Sequence, residues 1–163
     1  MANLEKSIDV NVSAHTAYNQ WTQFEQFPKF MEGVISVQQI DDRRLRWRTN
    51  IGGVEKSFEA EITEQIPDKR IAWRSLAGAP NAGVVTFHKL NDETTRIMLQ
   101  MEYDPEGLVE NVGDMLGVAS HRVKADLERF KEFIESRGTE SGAWRGRVDH
   151  DGNLQNQKKN VPA

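Results

Sequence analysis

The chain has 163 residues, with 25 acidic and 21 basic side chains and a formal net charge of −4. That length is enough to bury about two thirds of the unfolded surface in one core without metal or disulfide support, and the acidic balance argues against nucleic acid or an anionic membrane surface as the main partner. With no cysteine, disulfide scaffolds, thiolate nucleophiles and Cys-ligated zinc are excluded.

The first residues lack a basic segment followed by an apolar one, and nowhere do about 18 apolar residues run together. Neither a signal peptide nor a membrane span is expected, which places the protein in the cytoplasm. Ile8, Val10 and Val12 alternate with Ser7, Asp9 and Asn11, the period of a half-buried strand. Ser13 can cap a helix carrying Ala17, Trp21 and Phe24 at helical spacing, and Pro28 falls in a second short helical turn. Six further strands are predicted at 34–40, 44–51, 54–66, 70–76, 84–90 and 95–103. Their short separators are rich in turn-forming residues, so successive strands should pair antiparallel as a meander. One separator, AGAPNAG at 77–83, is a longer hairpin connection made of small residues.

After Pro105 an apolar stripe runs through Leu108, Val112, Leu116, Ala119, Val123, Leu127, Phe130 and Ile134. Spaced by threes and fours, it predicts one amphipathic helix of about eight turns, with Glu106, Glu110, Lys124, Asp126, Glu128, Arg129 and Lys131 on its outer face. Gly138 is placed to end it. A single domain over 1–137 is expected, and 138–163 reads as a polar, mostly disordered tail, although Trp144 and Val148 could fold back.

Strand alternation sorts the sheet into two faces. Arg44, Arg46 and Arg48 oppose Leu45, Trp47 and Thr49, and a turn at Gly52-Gly53 would set these arginines near Glu61, Glu59 and Ser57. A solvated ion-pair face therefore explains the arginine run better than a nucleic-acid surface. The opposite face carries Trp47, Phe58, Ile62, Trp73, Phe87, Met101 and Tyr103. A curved sheet over one helix can leave a hollow there or close into a solid core, and the pattern alone leaves both open.

The order strand, two short helices, six-strand meander, long helix resembles the helix-grip fold of the START-like (SRPBCC) superfamily. Within it, VNVSAHTAYNQWTQFEQFPKFM at 10–31, IAWRS at 71–75 and DLERFKEFIE at 126–135 resemble the bacterial polyketide cyclase/dehydrase and coenzyme-Q-binding group. The resemblance covers about residues 3–137. It implies an α+β fold in which a curved antiparallel sheet of about seven strands (β-α-α-β6-α) wraps on the C-terminal helix. It also implies a cavity between them for a lipid, isoprenoid, polyketide or other apolar small molecule. Members include carriers and some enzymes that cyclise or dehydrate a polyketide. The lining is then expected from Trp47, Phe58, Trp73, Phe87, Met101, Tyr103, Leu108, Val112, Met115 and Leu116, with Gly78, Ala79, Pro80 and Asn81 at the cavity lip.

Little catalytic chemistry is legible. His88 and His121 fall off the apolar faces, His15 opens the first helix and His150 lies in the tail, so none is expected to line the cavity. No pair has a metal-binding spacing, and no metal or cofactor is expected. Tyr103 is the one catalytic candidate, an inward hydroxyl able to orient or protonate a carbonyl; a core tyrosine bonded to backbone explains it as well. The expected function is binding of a hydrophobic small molecule as a carrier or sensor, by a monomer or homodimer with no nucleic-acid partner and no integral membrane segment. The alternatives are a polyketide aromatase, cyclase or dehydratase using Tyr103 and Asn81, and an interaction module whose tail docks a protein partner.

Overall fold

The structure is a computed structural model and describes residues 2–51, 53–78, 80–103, 115–149 and 154–155. Ser13 ends β1 (Ala2–Val10) and starts α1 (Ala14–Trp21): its backbone is extended and its Oγ accepts from the Thr16 amide at 3.1 Å, satisfying a donor the first helical turn leaves over. The second predicted turn is a 3-10 helix, η1 (Phe24–Lys29), with Pro28 inside it.

The strands follow as β2 (Val34–Gln39), β3 (Arg44–Ile51), β4 (Val54–Ile66), β5 (Arg70–Gly78), β6 (Asn81–Asn91) and β7 (Thr94–Tyr103). They form one antiparallel sheet in the order β1-β7-β6-β5-β4-β3-β2. The hairpin register is as expected, with Arg44 opposite Glu61, Arg46 opposite Glu59 and Arg48 opposite Ser57. Arg46 binds Glu59 at 2.9 Å and Arg74 binds Glu61 at 3.2 Å. Arg44 turns back to Asp41 in its own turn, while Arg43 takes Glu61 and Arg48 takes Glu55. The arginine run is a ladder of ion pairs.

The seven-residue connection predicted between β5 and β6 is shorter than expected, because β5 extends to Gly78 and β6 begins at Asn81. Rungs between the two strands stop at Arg74 and Ala82; beyond them β5 pairs with β4 through Gly78 opposite Phe58, and β6 pairs with β7 through Asn81 opposite Tyr103. The sheet forks there. Gly78 is required at the fork: its φ is +87° and an added Cβ would lie 2.4 Å from the Ser57 carbonyl oxygen.

The long helix is α2 (Met115–Arg137), which ends where Gly138 takes a φ of +73°; the expected start of the helix lies outside the described residues. Its second half is embedded in aromatic rings: Phe130 meets Trp21 at 4.9 Å and Phe30 at 5.1 Å between centroids. Tyr18, Phe87, Ile97 and Ile134 complete this solid end of the core.

The segment after Gly138 departs from the expected disordered tail. Residues 139–149 are docked against the domain as a strap, and its Val148, in β8 (Arg147–Val148), is fully buried opposite Gln65 of β4. Arg147 and Val148 also pair with β9 (Leu154–Gln155). The strap is held by polar pairing that hydropathy does not register. Ser141 and Gln20 exchange two hydrogen bonds at 2.8 and 3.1 Å, the Trp144 amide donates to Thr22 Oγ1, and Arg145 grips Asp68 and Asn19. This explains why Asn19, Gln20 and Thr22 are buried although polar. The Arg145 guanidinium also covers the ring of Tyr18, whose hydroxyl burial pushes up to about 12.

Ending the chain at Gly138 exposes Gln20 and Asn19 and removes buried Val148. This is expected to cost about 3 kcal/mol, a fall in Tm of about 6–12 °C for a chain of this size, measured by circular dichroism; an unchanged Tm would show that the strap adds nothing to the fold. Burial alone would raise the Asp68 carboxyl, but the hydrogen bonds and charge of Arg145 outweigh it and hold it below its ordinary value. Its contribution is therefore present above the unfolded pKa and lost as pH falls through the lower folded one. Asp68→Asn should cost about 0.5–1 kcal/mol at neutral pH for this partly exposed pair, and the gap between wild type and variant in urea melts should close below about pH 4.

Candidate functional site

Rungs on the inner face run from the solid end, where Ile8 lies opposite Ile97, to an open end, where Leu4 lies opposite Met101. At the open end the sheet and the first described turns of α2 stand apart, leaving a cavity of about 200 Å³. Its floor is Trp21, Phe24, Phe27 and Met31 from α1, η1 and the following residue pair. Its sheet wall is built from Trp47, Phe58, Trp73, Leu99, Met101 and Tyr103, and its helix wall from Ala119, Arg122, Val123 and Asp126. An apolar cavity of about 150 Å³ takes up benzene, so this one suits a ligand of one or two rings or a short chain.

The aromatic wall is braced by contacts among its own members and with Gly83. Trp47 and Phe58 sit opposite each other in register and stack at 5.6 Å with 9° between planes. Trp73 lies opposite Gly83, and an added Cβ there would come within 2.7 Å of the indole. Trp73 Nε1 donates to Asn81 Oδ1 at 3.0 Å, and the Asn81 amide donates to Ser75 Oγ at 3.0 Å. Only a residue without a side chain lets the indole lie flat on the neighbouring strand.

Few polar groups reach this space. Tyr103 is 1% exposed, its hydroxyl has no hydrogen-bond partner among the described residues, and burial raises its pKa. Trp47 Nε1 and Arg122 Nε are also buried without a partner. Asp126 accepts from Arg129 and from the Glu32 amide, yet burial outweighs these donors and keeps its carboxyl above the usual value. Glu32 Oε2 lies 3.4 Å from both Arg122 Nη1 and Arg129 Nη1.

Of the ten residues expected to line the cavity, Trp47, Phe58, Trp73, Met101 and Tyr103 are brought together around it. Phe87 is not. It points inward as its strand phase requires, but it sits opposite Ile97 toward the solid end and packs edge-on to Tyr18 at 5.5 Å. Leu108 and Val112 lie outside the described residues, and Met115 and Leu116 open α2. Within the expected lip, Gly78 ends β5, Pro80 is exposed, Ala79 lies outside the described residues, and Asn81 is a 5% exposed wall brace. Asp126, expected on the outer helix face, lines the cavity instead, because positions three and four residues from Val123 and Phe130 flank the apolar stripe. Arg122 was hidden by the same simplification. The floor aromatics were legible only as a helical apolar face, with nothing to separate floor from core. His15, His88 and His121 are exposed and away from the cavity; His150 lies outside the described residues. Among the described residues no three His, Asp or Glu side chains are grouped to hold a metal, and no helix is long and apolar enough to cross a membrane.

Residues 10–132 match the family described as polyketide cyclase/dehydrase and lipid transport. A Streptomyces lincolnensis protein described as an uncharacterized 17.2 kDa intergenic-region product is 56% identical over 149 residues, covering 91% of this chain and 99% of its own. A crystal structure from Deinococcus radiodurans is 29% identical with a TM-score of 0.67, over 85% of this chain and 99% of that one. A START superfamily protein from Mycobacterium smegmatis has a TM-score of 0.71 at 14% identity, over 83% and 98% of the two chains. The Zhui aromatase/cyclase of a Streptomyces species has a TM-score of 0.72 at 17% identity, over 87% and 98%. At such identities the last two show a shared fold: the curved seven-strand sheet with its C-terminal helix is the helix-grip fold of the START superfamily. The fold, the match over 10–132 and the 56% identical relative together make this chain a member of the polyketide cyclase/dehydrase and lipid transport family.

Proposed function

We propose that the protein binds a small hydrophobic molecule in the cavity between sheet and helix, and that it carries or senses this molecule without making or breaking its bonds. The carrying observation is the cavity itself: about 200 Å³ walled by Trp47, Phe58, Trp73, Leu99 and Met101 at the end of a core otherwise packed solid with rings. Unfilled apolar volume of this kind forfeits dispersion contacts that the rest of the core makes, and an apolar ligand restores them. Tyr103, whose pKa burial raises further, can donate a hydrogen bond, and among the described residues its hydroxyl has no partner to act as a base, which favours binding over acid–base turnover. Residues 139–149 are spent on the domain's own surface, which weighs against the tail as an arm for a protein partner.

Native mass spectrometry of protein purified from its source should reveal an apolar molecule stoichiometric with the chain. Ala119→Phe, projecting a ring from the helix wall into the hollow, should reduce naphthalene uptake in equilibrium dialysis tenfold or more with Tm held within a few degrees. Uptake that survives this filling would remove the cavity as the binding place. Tyr103→Phe removes a buried hydroxyl that has no partner, so the unliganded protein should gain about 1 kcal/mol. Loss of stability in urea melts would show that the hydroxyl is bonded in solution.

A further inference from the structure

The unpaired polar atoms of the cavity wall share one sign. Trp47 Nε1, Tyr103 Oη and Arg122 Nε are shielded from solvent and have no partner among the described residues, and all three carry a hydrogen to donate. Two acceptors on the same wall are engaged: Asn81 Oδ1 accepts from Trp73, and Asp126 Oδ1 accepts from Arg129 and the Glu32 amide. A hydrocarbon in the cavity would leave the donors unmatched, whereas an oxygen acceptor would answer them.

Arg122 is the strongest of the three because its donor is charged. It is also the least committed guanidinium in its cluster. Arg129 holds Asp126 and the Phe30 carbonyl oxygen, the latter at 2.9 Å. Among the described residues the ion-pair partner of Arg122 is the Glu32 carboxylate, which is 69% exposed and shared with Arg129, while Asp126 acts on it by charge alone. So weak and solvated an ion pair contributes little, and a long side chain tethered by it can turn its nitrogens to a ligand. The two carboxylates balance the two guanidiniums, so an incoming oxygen exchanges with Glu32 and leaves the Asp126–Arg129 pair intact.

On the hydrophobic-ligand reading above, we infer that the occupant is an apolar molecule bearing an sp2 oxygen, a ketone or a carboxylate, and that Arg122 selects it by donating to that oxygen. Trp47 and Tyr103 offer further donors to a second oxygen on the same ligand. The other end of the molecule faces rings and aliphatic groups, so oxygen at one end and hydrocarbon at the other is the chemistry the wall accepts.

Equilibrium dialysis of the full chain at about pH 7 with 2-methylnaphthalene, 2-acetylnaphthalene and 2-naphthoate separates the cases. Arg122→Met should weaken the better-bound oxygenated probe tenfold or more and leave the hydrocarbon within about twofold. Tighter wild-type binding of naphthoate supports the proposal with an anionic ligand, and tighter binding of acetylnaphthalene supports it with a neutral carbonyl. Glu32→Gln removes the competing exposed carboxylate and should strengthen the oxygenated probe about threefold; this variant carries the test if Arg122→Met does not fold. Equal effects of Arg122→Met on all three probes, or uptake of the hydrocarbon alone, would overturn the role of Arg122 while leaving the cavity reading standing. Uptake of none of the probes by wild type would overturn both.

Discussion

The edge-to-face contact of Trp21 with Phe130 is the constraint on which the rest of the structure turns. It fixes the second half of α2 to α1 and, through Phe30, to the chain leaving η1. Polar bonds reinforce the same half: Arg129 Nε donates to the Phe30 carbonyl, Lys131 Nζ to the Asp9 carbonyl, and Glu135 accepts from the Asn11 amide. The inner side of the sheet is long and curved, and one helix pinned at one end cannot follow it along its length. The space opens where the pinning stops, near Ala119 and Arg122, which is why cavity and solid core share a sheet face without a domain boundary between them.

The strap obeys different physics. It brings little apolar surface beyond Trp144 and Val148, and its position depends on hydrogen-bond donors and acceptors meeting one to one. Asn19 and Gln20 lie on the side of α1 facing away from the ring cluster, and without Glu140, Ser141 and Arg145 they would be buried polar groups lacking partners. The strap thus lets α1 be enclosed on both sides, one apolar and one polar, and a rigid α1 in turn holds Trp21 against Phe130.

Legibility in the sequence tracked how each element is stabilised. Period-two alternation recovered all seven main strands and the register of the arginine ladder, because a one-residue slip would put Leu45 and Trp47 in water and arginines inside. Threes and fours located α2, but a stripe drawn through apolar residues alone left out the flanking Arg122 and Asp126, which are amphipathic or paired and so tolerate the edge of a cavity. Phase gave Phe87 the right face, while position along the strand, invisible to periodicity, decided that it fills core and does not line the hollow. Of the strap only the two apolar residues that could fold back, Trp144 and Val148, were legible, because composition reports apolar burial and not the matching of Gln20 to Ser141 or Arg145 to Asp68. The AGAPNAG stretch read as loop because its residues are poor strand formers; pairing of Gly78 with β4 and Asn81 with β7 overrides that preference.

That fork explains why the cavity does not collapse. A hollow next to mobile rings would be filled by them, since a close-packed interior is the more stable outcome. Here Trp47, Phe58 and Trp73 are held by their neighbours. Trp47 and Phe58 stack on one another across adjacent strands, and Trp73 is laid flat by the bare backbone of Gly83 and tied through its indole nitrogen to Asn81. Asn81 can reach Trp73 because β6 begins there, and its amide donates to Ser75 Oγ where the β5–β6 rungs have already ended. The small residues that separate the two strands in the sequence are therefore what keeps a tryptophan out of the space, and the hollow is a consequence of where backbone pairing stops.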